Sequence, residues 1–503
     1  MKIHGYLMIF LRSAPALAAV LFCLSCSDGR AVDSDAGSND DAAPDSSSYA
    51  DAAPDADTDT DTDTDTDSDT DGDTDTDADA SIVCDASTWL ATIEGPRVDS
   101  FHSLIECSDN GIVVAGETGS FGAPERDAWV VKLDLDGKII WQKTIGGQEY
   151  DASSSIVETR DQDIVVAGTT LSFGAGDEDI WIIRMDSNGG IVWQKTIGGS
   201  GDDSAASVTG TQDNGIAIAG TTASFGAGGS DIWIVKMDRD GEIEWQQTFG
   251  QDIMDYAASI METSDNDLVI SGYGYPESGW SRHLRLIKLS PDGNLIWQKT
   301  TGGNKQIEIH SIIQTMDGNL AMGGSCIDYT TYLCPMILMK TDQNGELIWS
   351  VFADSADIED GSESEQINSL AETSDRHLTA GAHFYAIGWD WEAYGSSLML
   401  FDDTGGLEWA QRFSNLFSES SVIWTSDSRI LGTSSSIVFK TDAQGDISGE
   451  CLFIEDLPEI TACSHAVEIV DSDLDTGDTA VQAVTSEGRI KSSYAISQIL
   501  CPE

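Results

Sequence analysis

Asp99, Asp151, Asp203 and Asp255 stand 52 residues apart, and each precedes a serine by four residues. Glu365 takes the same place before Ser369, while Ile307 and Phe417 interrupt the series. Carboxylates repeated at one spacing can converge on a cation if the chain brings its repeats round a common axis. They can equally cap turns by accepting hydrogen bonds from backbone N–H groups. The cap is the simpler reading, so Asp99, Asp151, Asp203, Asp255 and Glu365 are weak metal candidates. Turns such as Asp134-Leu135-Asp136-Gly137 and Asp238-Arg239-Asp240-Gly241 also look calcium-like. Asp bonding its own backbone before a Gly of positive φ is ordinary hairpin chemistry, and explains them without a metal. The run Asp67-Ser68-Asp69-Thr70-Asp71-Gly72-Asp73 opens like a calcium loop, but Ala78 stands where the bidentate Glu is required.

Aromatic side chains supply the other candidate contacts. Trp389, Trp391 and Tyr394, and likewise Tyr273, Tyr275 and Trp280, fall in connections that depart from the repeat described below. Aromatics on irregular loops suit ligand contact. Trp129, Trp181 and Trp233 lie in regular segments and read as core. The seven His are scattered without metal-ligand spacing, and the chain has neither a nucleophile elbow nor a phosphate loop. Among so many acids no carboxylate pair stands out for glycoside hydrolysis. No cofactor is expected.

The elements that position these residues repeat. Trp89, Trp141, Trp193, Trp245, Trp297 and Trp349 are each 52 residues apart, and Trp409 follows after 60. Ser103, Ser155, Ser207, Ser259, Ser311, Ser369 and Ser421 keep step. So do Asp109, Asp161, Asp213, Asp265, Asp317, Asp375 and Asp427, six residues further on. A glycine stands four residues before each Trp position, from Gly137 to Gly445. One repeat parses into strands at 203–211, 215–223, 231–237 and 242–248, each bounded by Gly, Asp or Asn. Four short antiparallel strands repeated seven times predict an all-β, seven-bladed β-propeller over residues 82–450. Gly449 replaces the Trp of the seventh repeat, and Trp89 stands unpaired before the first. The N-terminal strand around Trp89 is therefore expected to close the ring as the fourth strand of the last blade.

Ser120-Phe121-Gly122-Ala123 recurs as Ser172-Phe173-Gly174-Ala175 and Ser224-Phe225-Gly226-Ala227. Together with T-x-D-G-G, V-A-G-x-T and D-x-W-x-x-K-x-D-x-x-G-x-x-W, this resembles a repeat of bacterial and archaeal secreted propellers. The resemblance covers residues 89–450 and implies the propeller fold. Some relatives carry an endoglucanase-like label, so it leaves a glycan hydrolase as the alternative function.

Residues 1–26 read as an export signal: Lys2 and Arg12 lead an apolar run, Ala14–Leu24, too short to span a bilayer. The run ends Cys23-Leu24-Ser25-Cys26, which resembles a bacterial lipobox with Cys26 as the lipidated residue. That implies a lipoprotein of the cell envelope, at the outer membrane or cell surface. Residues 27–81 are Asp, Ala, Ser and Thr with almost nothing apolar, and are expected to remain an unfolded acidic tether. Residues 451–503 form a short C-terminal extension, expected to be mostly irregular.

The chain carries 87 acidic against 25 basic residues, a net charge of −62, of which −45 belongs to residues 81–503. That excludes nucleic acid as a partner and leaves a lipid anchor as the only membrane contact. An exported compartment permits disulfides. Cys326 and Cys334 flank a loop of the fifth blade. Cys84 and Cys451 flank the segments that meet at ring closure, and Cys463 and Cys501 bracket the tail. Cys84 pairing with Cys463 or Cys501 stays open. Cys107 replaces a repeated Thr and is expected to be a free, buried thiol. The reading is a monomeric, non-catalytic scaffold for a protein or glycan.

Overall fold

The computed structural model describes residues 88–122, 125–250, 253–275, 282–301, 306–327, 336–355, 362–387, 392–414 and 421–445, and seven short strands between 454 and 499. The chain divides into two units, one of them Leu24–Cys84, and all described residues belong to the other.

The described unit is all-β, with seven blades. Blade 1 runs outward from the innermost strand Asp99–Glu106 through Ile112–Thr118 and Asp127–Leu133 to Ile139–Gly146. Blades 2 to 6 begin with innermost strands at Asp151, Asp203, Met254, Gln306 and Ser362. Blade 3 takes Asp203–Gly210, Ile216–Thr222, Asp231–Met237 and Ile243–Gly250, within two residues of the boundaries expected from its sequence. Blade 7 consists of Ser421–Trp424, Ile430–Ser434 and Ile437–Thr441, completed by Trp89–Glu94. Trp89 lies opposite Lys440, the register that Trp141 keeps with Lys132 and Trp245 with Lys236. The ring closes as expected.

Each repeated residue has a partner in a neighbouring copy. The outer-strand tryptophans lie on the turn glycines of the next blade. A Cβ on Gly137 would stand 2.8 Å from Trp89, and one on Gly445 would stand 2.7 Å from Trp409. These glycines also take positive φ, 78° at Gly137 and 79° at Gly445, so two constraints exclude a side chain there. Trp89 Nε1 donates to the Leu135 carbonyl at 2.8 Å, and Trp245 repeats the bond to Pro291 at 2.9 Å. The core lies between blades: Val113, Ala115 and Val130 of blade 1 pack on Ile156, Val166 and Trp181 of blade 2. Trp129, Trp181 and Trp233 are fully buried in this core, as expected. The Phe of each Ser-Phe-Gly segment folds back on the Trp of its own blade, with ring centroids 5.3–5.5 Å apart.

At the opposite ends of the strands, the repeated Asp of the first turn is pinned by a buried cation from the third strand in every blade but the sixth. Lys236 reaches Asp213 at 2.9 Å, Lys340 reaches Asp317 at 2.8 Å, and Arg184 reaches Asp161 at 2.7 Å. In blade 6 Leu400 takes the cation's place, and His377 stands 3.3 Å from Asp375 instead.

The C-terminal extension carries seven short strands among its described residues. It lays one short antiparallel strand on the outer edge of every blade, in descending order. Ile454–Glu455 pairs with blade 6, Ile460–Ser464 with blade 5, Ile469–Asp471 with blade 4 and Asp475–Gly477 with blade 3. Val484–Thr485 then pairs with blade 2, Arg489–Lys491 with blade 1, and Ile496–Ile499 with the closing strand of blade 7. The four-stranded blades of the repeat thus gain a fifth strand from one belt.

Candidate functional site

Every innermost strand of blades 1 to 6 carries a β-bulge immediately before its repeated serine, as between Phe101 and Ser103 or Ile309 and Ser311. The inner edges of these strands face the axis, where their N–H groups would lack a ladder partner. The serines supply it: Ser103 Oγ accepts from Ile156 N at 3.3 Å, Ser155 from Val208 N at 3.1 Å and Ser207 from Ile260 N at 3.2 Å. The serines and the bulged residues, among them His102, Ser154 and His310, line an axial cavity of about 250 Å³. The serine repeat was plain in the sequence, but its role was not, because a bulge leaves no periodic signature.

The recurring carboxylates gather at one end of the innermost strands. All are buried. Asp99 Oδ2 accepts from Gly95 N and Ser120 Oγ, both at 2.7 Å, while Oδ1 accepts from Thr118 Oγ1 at 2.5 Å. Asp151 repeats this with Gly147 N at 2.7 Å, Ser172 Oγ at 2.8 Å and the Thr170 hydroxyl. Asp203 accepts from Gly199 N and Ser224 Oγ at 2.7 Å. Asp255 takes Arg285 Nε at 3.0 Å. In this arrangement Asp99, Asp151 and Asp203 cap the connections between blades and hold the serine of the Ser-Phe-Gly segment. No cluster of three metal-ligating side chains occurs among the described residues.

A second row of aspartates, assigned no role from the sequence, opens the third strands: Asp127, Asp179 and Asp231. A Cβ on Gly198 would stand 1.7 Å from Asp179 Oδ1 and 2.9 Å from Asp203 Oδ2, so two carboxylates flank one glycine. Gly250 sits likewise between Asp231 and Asp255. Burial, and secondarily Asp255, push the Asp231 carboxyl up to about 6 from its ordinary 3.8. Between these values the folded chain holds more proton than the unfolded chain, so this group's contribution to stability falls as pH rises from about 4 to 6. The penalty remaining at neutral pH is on the order of 2–3 kcal/mol. Asp231→Asn is therefore expected to raise the melting temperature at pH 7.5 and to lose most of that advantage near pH 4.5. An equal difference at both pH values in a calorimetric scan would refute the argument.

Above this carboxylate ring the same end of the propeller opens into a groove of about 620 Å³, lined by Val98, Ser100, His102, Glu117, Arg126, Tyr150, Ser435 and others. Three of its residues break the repeat. Glu117 stands where blades 2 and 3 have Thr169 and Thr221, Arg126 where they have Glu178 and Ser230, and Tyr150 where blade 3 has Asp202. The three meet: Arg126 is ion-paired to the buried Glu117, and Tyr150 donates to Glu117 Oε2 at 2.5 Å. Departure from the repeat, read position by position, was the sequence signal that could have found them.

Blade 4 builds a parallel cluster from its own departures. Tyr256, Tyr273 and Tyr275 pack with centroids 5.3–6.5 Å apart. Arg282, at the repeat position of Arg126, lies 5.4 and 5.5 Å from the Tyr273 and Tyr275 rings. It is ion-paired to the buried Glu308 and donates to the Tyr275 hydroxyl at 2.5 Å. The candidates Tyr273 and Tyr275 are thus half-buried parts of a wedge between blades 4 and 5. Tyr394 lies on the strand Glu392–Phe401, opposite Tyr385. Trp280, Trp389 and Trp391 lie outside the described residues, as do Cys26, Cys84, Cys334, Cys451 and Cys501. Glu365 is buried on the innermost strand of blade 6, and Cys463 lies on a belt strand opposite Phe352. Cys326 is buried. Cys107 is buried and unbridged, and burial above all pushes its thiol up to about 12, as suits an inert core residue.

A family model described as outer membrane protein assembly factor BamB matches residues 126–357, somewhat less than half of the chain. No curated protein matches the chain. Similar solved structures include Sqt1 from Chaetomium thermophilum, at 12% identity over 70% of this chain and 98% of that one, with a TM-score of 0.40. A streptogramin B lyase shows 14% identity over 70% and 97%, with a TM-score of 0.39. A protein of unknown function from Bacteroides caccae shows 10% identity over 65% and 94%, with a TM-score of 0.34. Likeness at this level carries nothing about function.

Proposed function

We propose that the chain is an exported lipoprotein, anchored through Cys26 and carried on the acidic tether 27–81. Its propeller binds a protein or glycan at the end bearing the groove, without catalysis. The observation that supports binding is the groove itself, which is open to solvent, shares residues with the axial cavity and carries three residues, Glu117, Arg126 and Tyr150, that leave the repeat pattern. The matched family model, described as an outer membrane assembly factor, supports a place in the bacterial envelope and a protein partner. A net charge of −62 argues against nucleic acid.

The second reading is a glycan hydrolase, because Asp99 and Glu117 line the same groove. Their bonding argues against it: Asp99 is held by Thr118 and Ser120, and Glu117 by Arg126 and Tyr150. A catalytic acid and base need access to substrate and to a water. Screening the purified chain on a glycan array and against envelope proteins, with reducing-sugar release measured in parallel, separates the readings. Binding without sugar release is expected, and steady release on any bound glycan would reverse the assignment.

For the anchor, Cys26→Ala is expected to move the protein from the membrane to the soluble fraction and to abolish labelling by a palmitate analogue. Equal labelling of the variant would remove the lipoprotein claim.

A further inference from the structure

The groove at blade 1 exists because blade 7 is cut short. Blades 1 to 3 join their second and third strands through the Ser-Phe-Gly loops 119–126, 171–178 and 223–230. Blade 7 makes the same connection with only Ser435 and Ser436. The missing loop leaves a notch beside blade 1, and the groove opens there against Ser435. His102, Ser154 and Ala206 line both this groove and the axial cavity, so the notch leads to the axis.

The chemistry of the lining selects among ligands. Arg126 is already neutralised by Glu117, so the groove has no net positive charge with which to draw an anion. Residues 81–503 carry −45, which repels anions further. A cationic ligand finds both carboxylates of the lining already engaged, Glu117 by Arg126 and Tyr150 and Asp99 by Gly95, Thr118 and Ser120. A strand-like peptide finds little ladder to join, because the innermost strands of blades 2, 3, 4, 6 and 7 each give the amide that follows the repeated serine to a neighbouring serine and the outer edges are covered by the C-terminal belt. What the wall offers is a dense set of short-range hydrogen-bonding groups. The Arg126 guanidinium has four N–H donors besides the one given to Glu117. His102 Nδ1 lies 2.9 Å from the Ser153 carbonyl, which only accepts, so Nδ1 carries the proton and Nε2 of the neutral ring is an acceptor. Ser100, Ser154 and Ser435 add hydroxyls, and Val98, 61% exposed, gives an apolar rim for C–H faces. The volume is that of a small-molecule pocket.

We propose that the notch between blades 7 and 1 is a subsite for a neutral saccharide unit, with Arg126 and His102 as its polar contacts and Ser154 at its floor. The proposal rests on the reading that this end of the propeller binds ligand. The full chain, solubilised in detergent, would be titrated with cellotetraose, mannotetraose and galactotetraose, and with tetragalacturonate and a glucosamine tetramer as charged probes. At least one neutral tetraose should saturate. Arg126→Lys, which keeps the charge but loses the planar fork, should weaken it about tenfold. Ser154→Trp should block the floor and abolish binding, while Arg282→Lys, the equivalent position in blade 4, should bind as the parent does. Unchanged melting temperatures would show that all three variants fold; a groove variant that does not would be replaced by Tyr150→Phe, which should also weaken binding, since Tyr150 holds Glu117 beside Arg126. Tighter binding of either charged tetramer would overturn the neutral class. A neutral tetraose that binds all variants equally would overturn the notch and leave the scaffold reading standing. Absence of saccharide binding, with an envelope protein captured, would overturn the subsite alone; absence of both would overturn the scaffold reading as well.

Discussion

Deleting residues 88–94 should leave a propeller that aggregates, or that melts far below the intact chain. The segment supplies the outer strand of blade 7 and joins the two ends of the ring. Trp89 and Leu90 are 3% exposed and Ile93 is fully buried. Burying three such side chains contributes roughly 1.5–3 kcal/mol each. Their sum is comparable with the roughly 5–15 kcal/mol that holds an ordinary domain together. Trp89 also reaches across the seam, with its indole N–H on the Leu135 carbonyl and its ring on Gly137 of blade 1. Its loss therefore opens an interface as well as an edge, and an exposed edge invites pairing between copies. Size-exclusion profiles and melting curves would be compared with those of a chain lacking residues 27–81, which should match the intact protein. If the shortened chain stays monomeric and melts within a few degrees of the parent, the seam is held by something else.

The ring was legible because each repeated residue answers a contact in the next copy, so its spacing is the geometry of one blade interface. Trp141 meets Gly189 and Trp193 meets Gly241, and those contacts are what the 52-residue period records. Closure was legible for the same reason, since Trp89 had to find a blade that lacked its Trp. The site was less so. Asp99 and its equivalents were found, and their capping role anticipated, because they repeat. Glu117, Arg126 and Tyr150 were passed over because each occurs once, and only the fold brings them together from blades 1 and 2. The aromatics in the connection of blade 4 stood out by type, yet Tyr273 and Tyr275 serve first as packing against Arg282. The belt was invisible for another reason. Strands of two to five residues hold too little alternation to register, and their pairing partners lie as far as 408 residues away, as Ile499 does from Ala91.

Cutting the belt from its C-terminal end should uncover the blades in a fixed order, blade 7 first and then blades 1 to 6 in turn. A stop after Lys491 removes only Ile496–Ile499, so the amides of Ala91–Glu94 in blade 7 should lose protection from hydrogen exchange and the other outer strands should keep it. A stop after Thr485 should add Thr144–Gly146 of blade 1, and a stop after Gly477 should add Lys195 and Thr196 of blade 2. A stop at residue 450 should bare all seven outer edges together. Each lost strand carries only two to five residues, so every step costs little by itself, and the blades keep the four strands that their interfaces bury. The large effect comes at the last step, because seven unpaired edges around one ring give every copy several places to pair with another. The complete truncation should therefore shift from monomer to higher assemblies at concentrations where the Lys491 stop stays monomeric. Loss of protection in all blades at the first cut would mean that the belt acts as one cooperative unit. Protection unchanged at residue 450 would mean that the outer edges do not depend on it. Only the graded sequence, blade 7 before blade 1 before blade 2, follows from a strap that winds backwards round the ring and is held by each blade in turn.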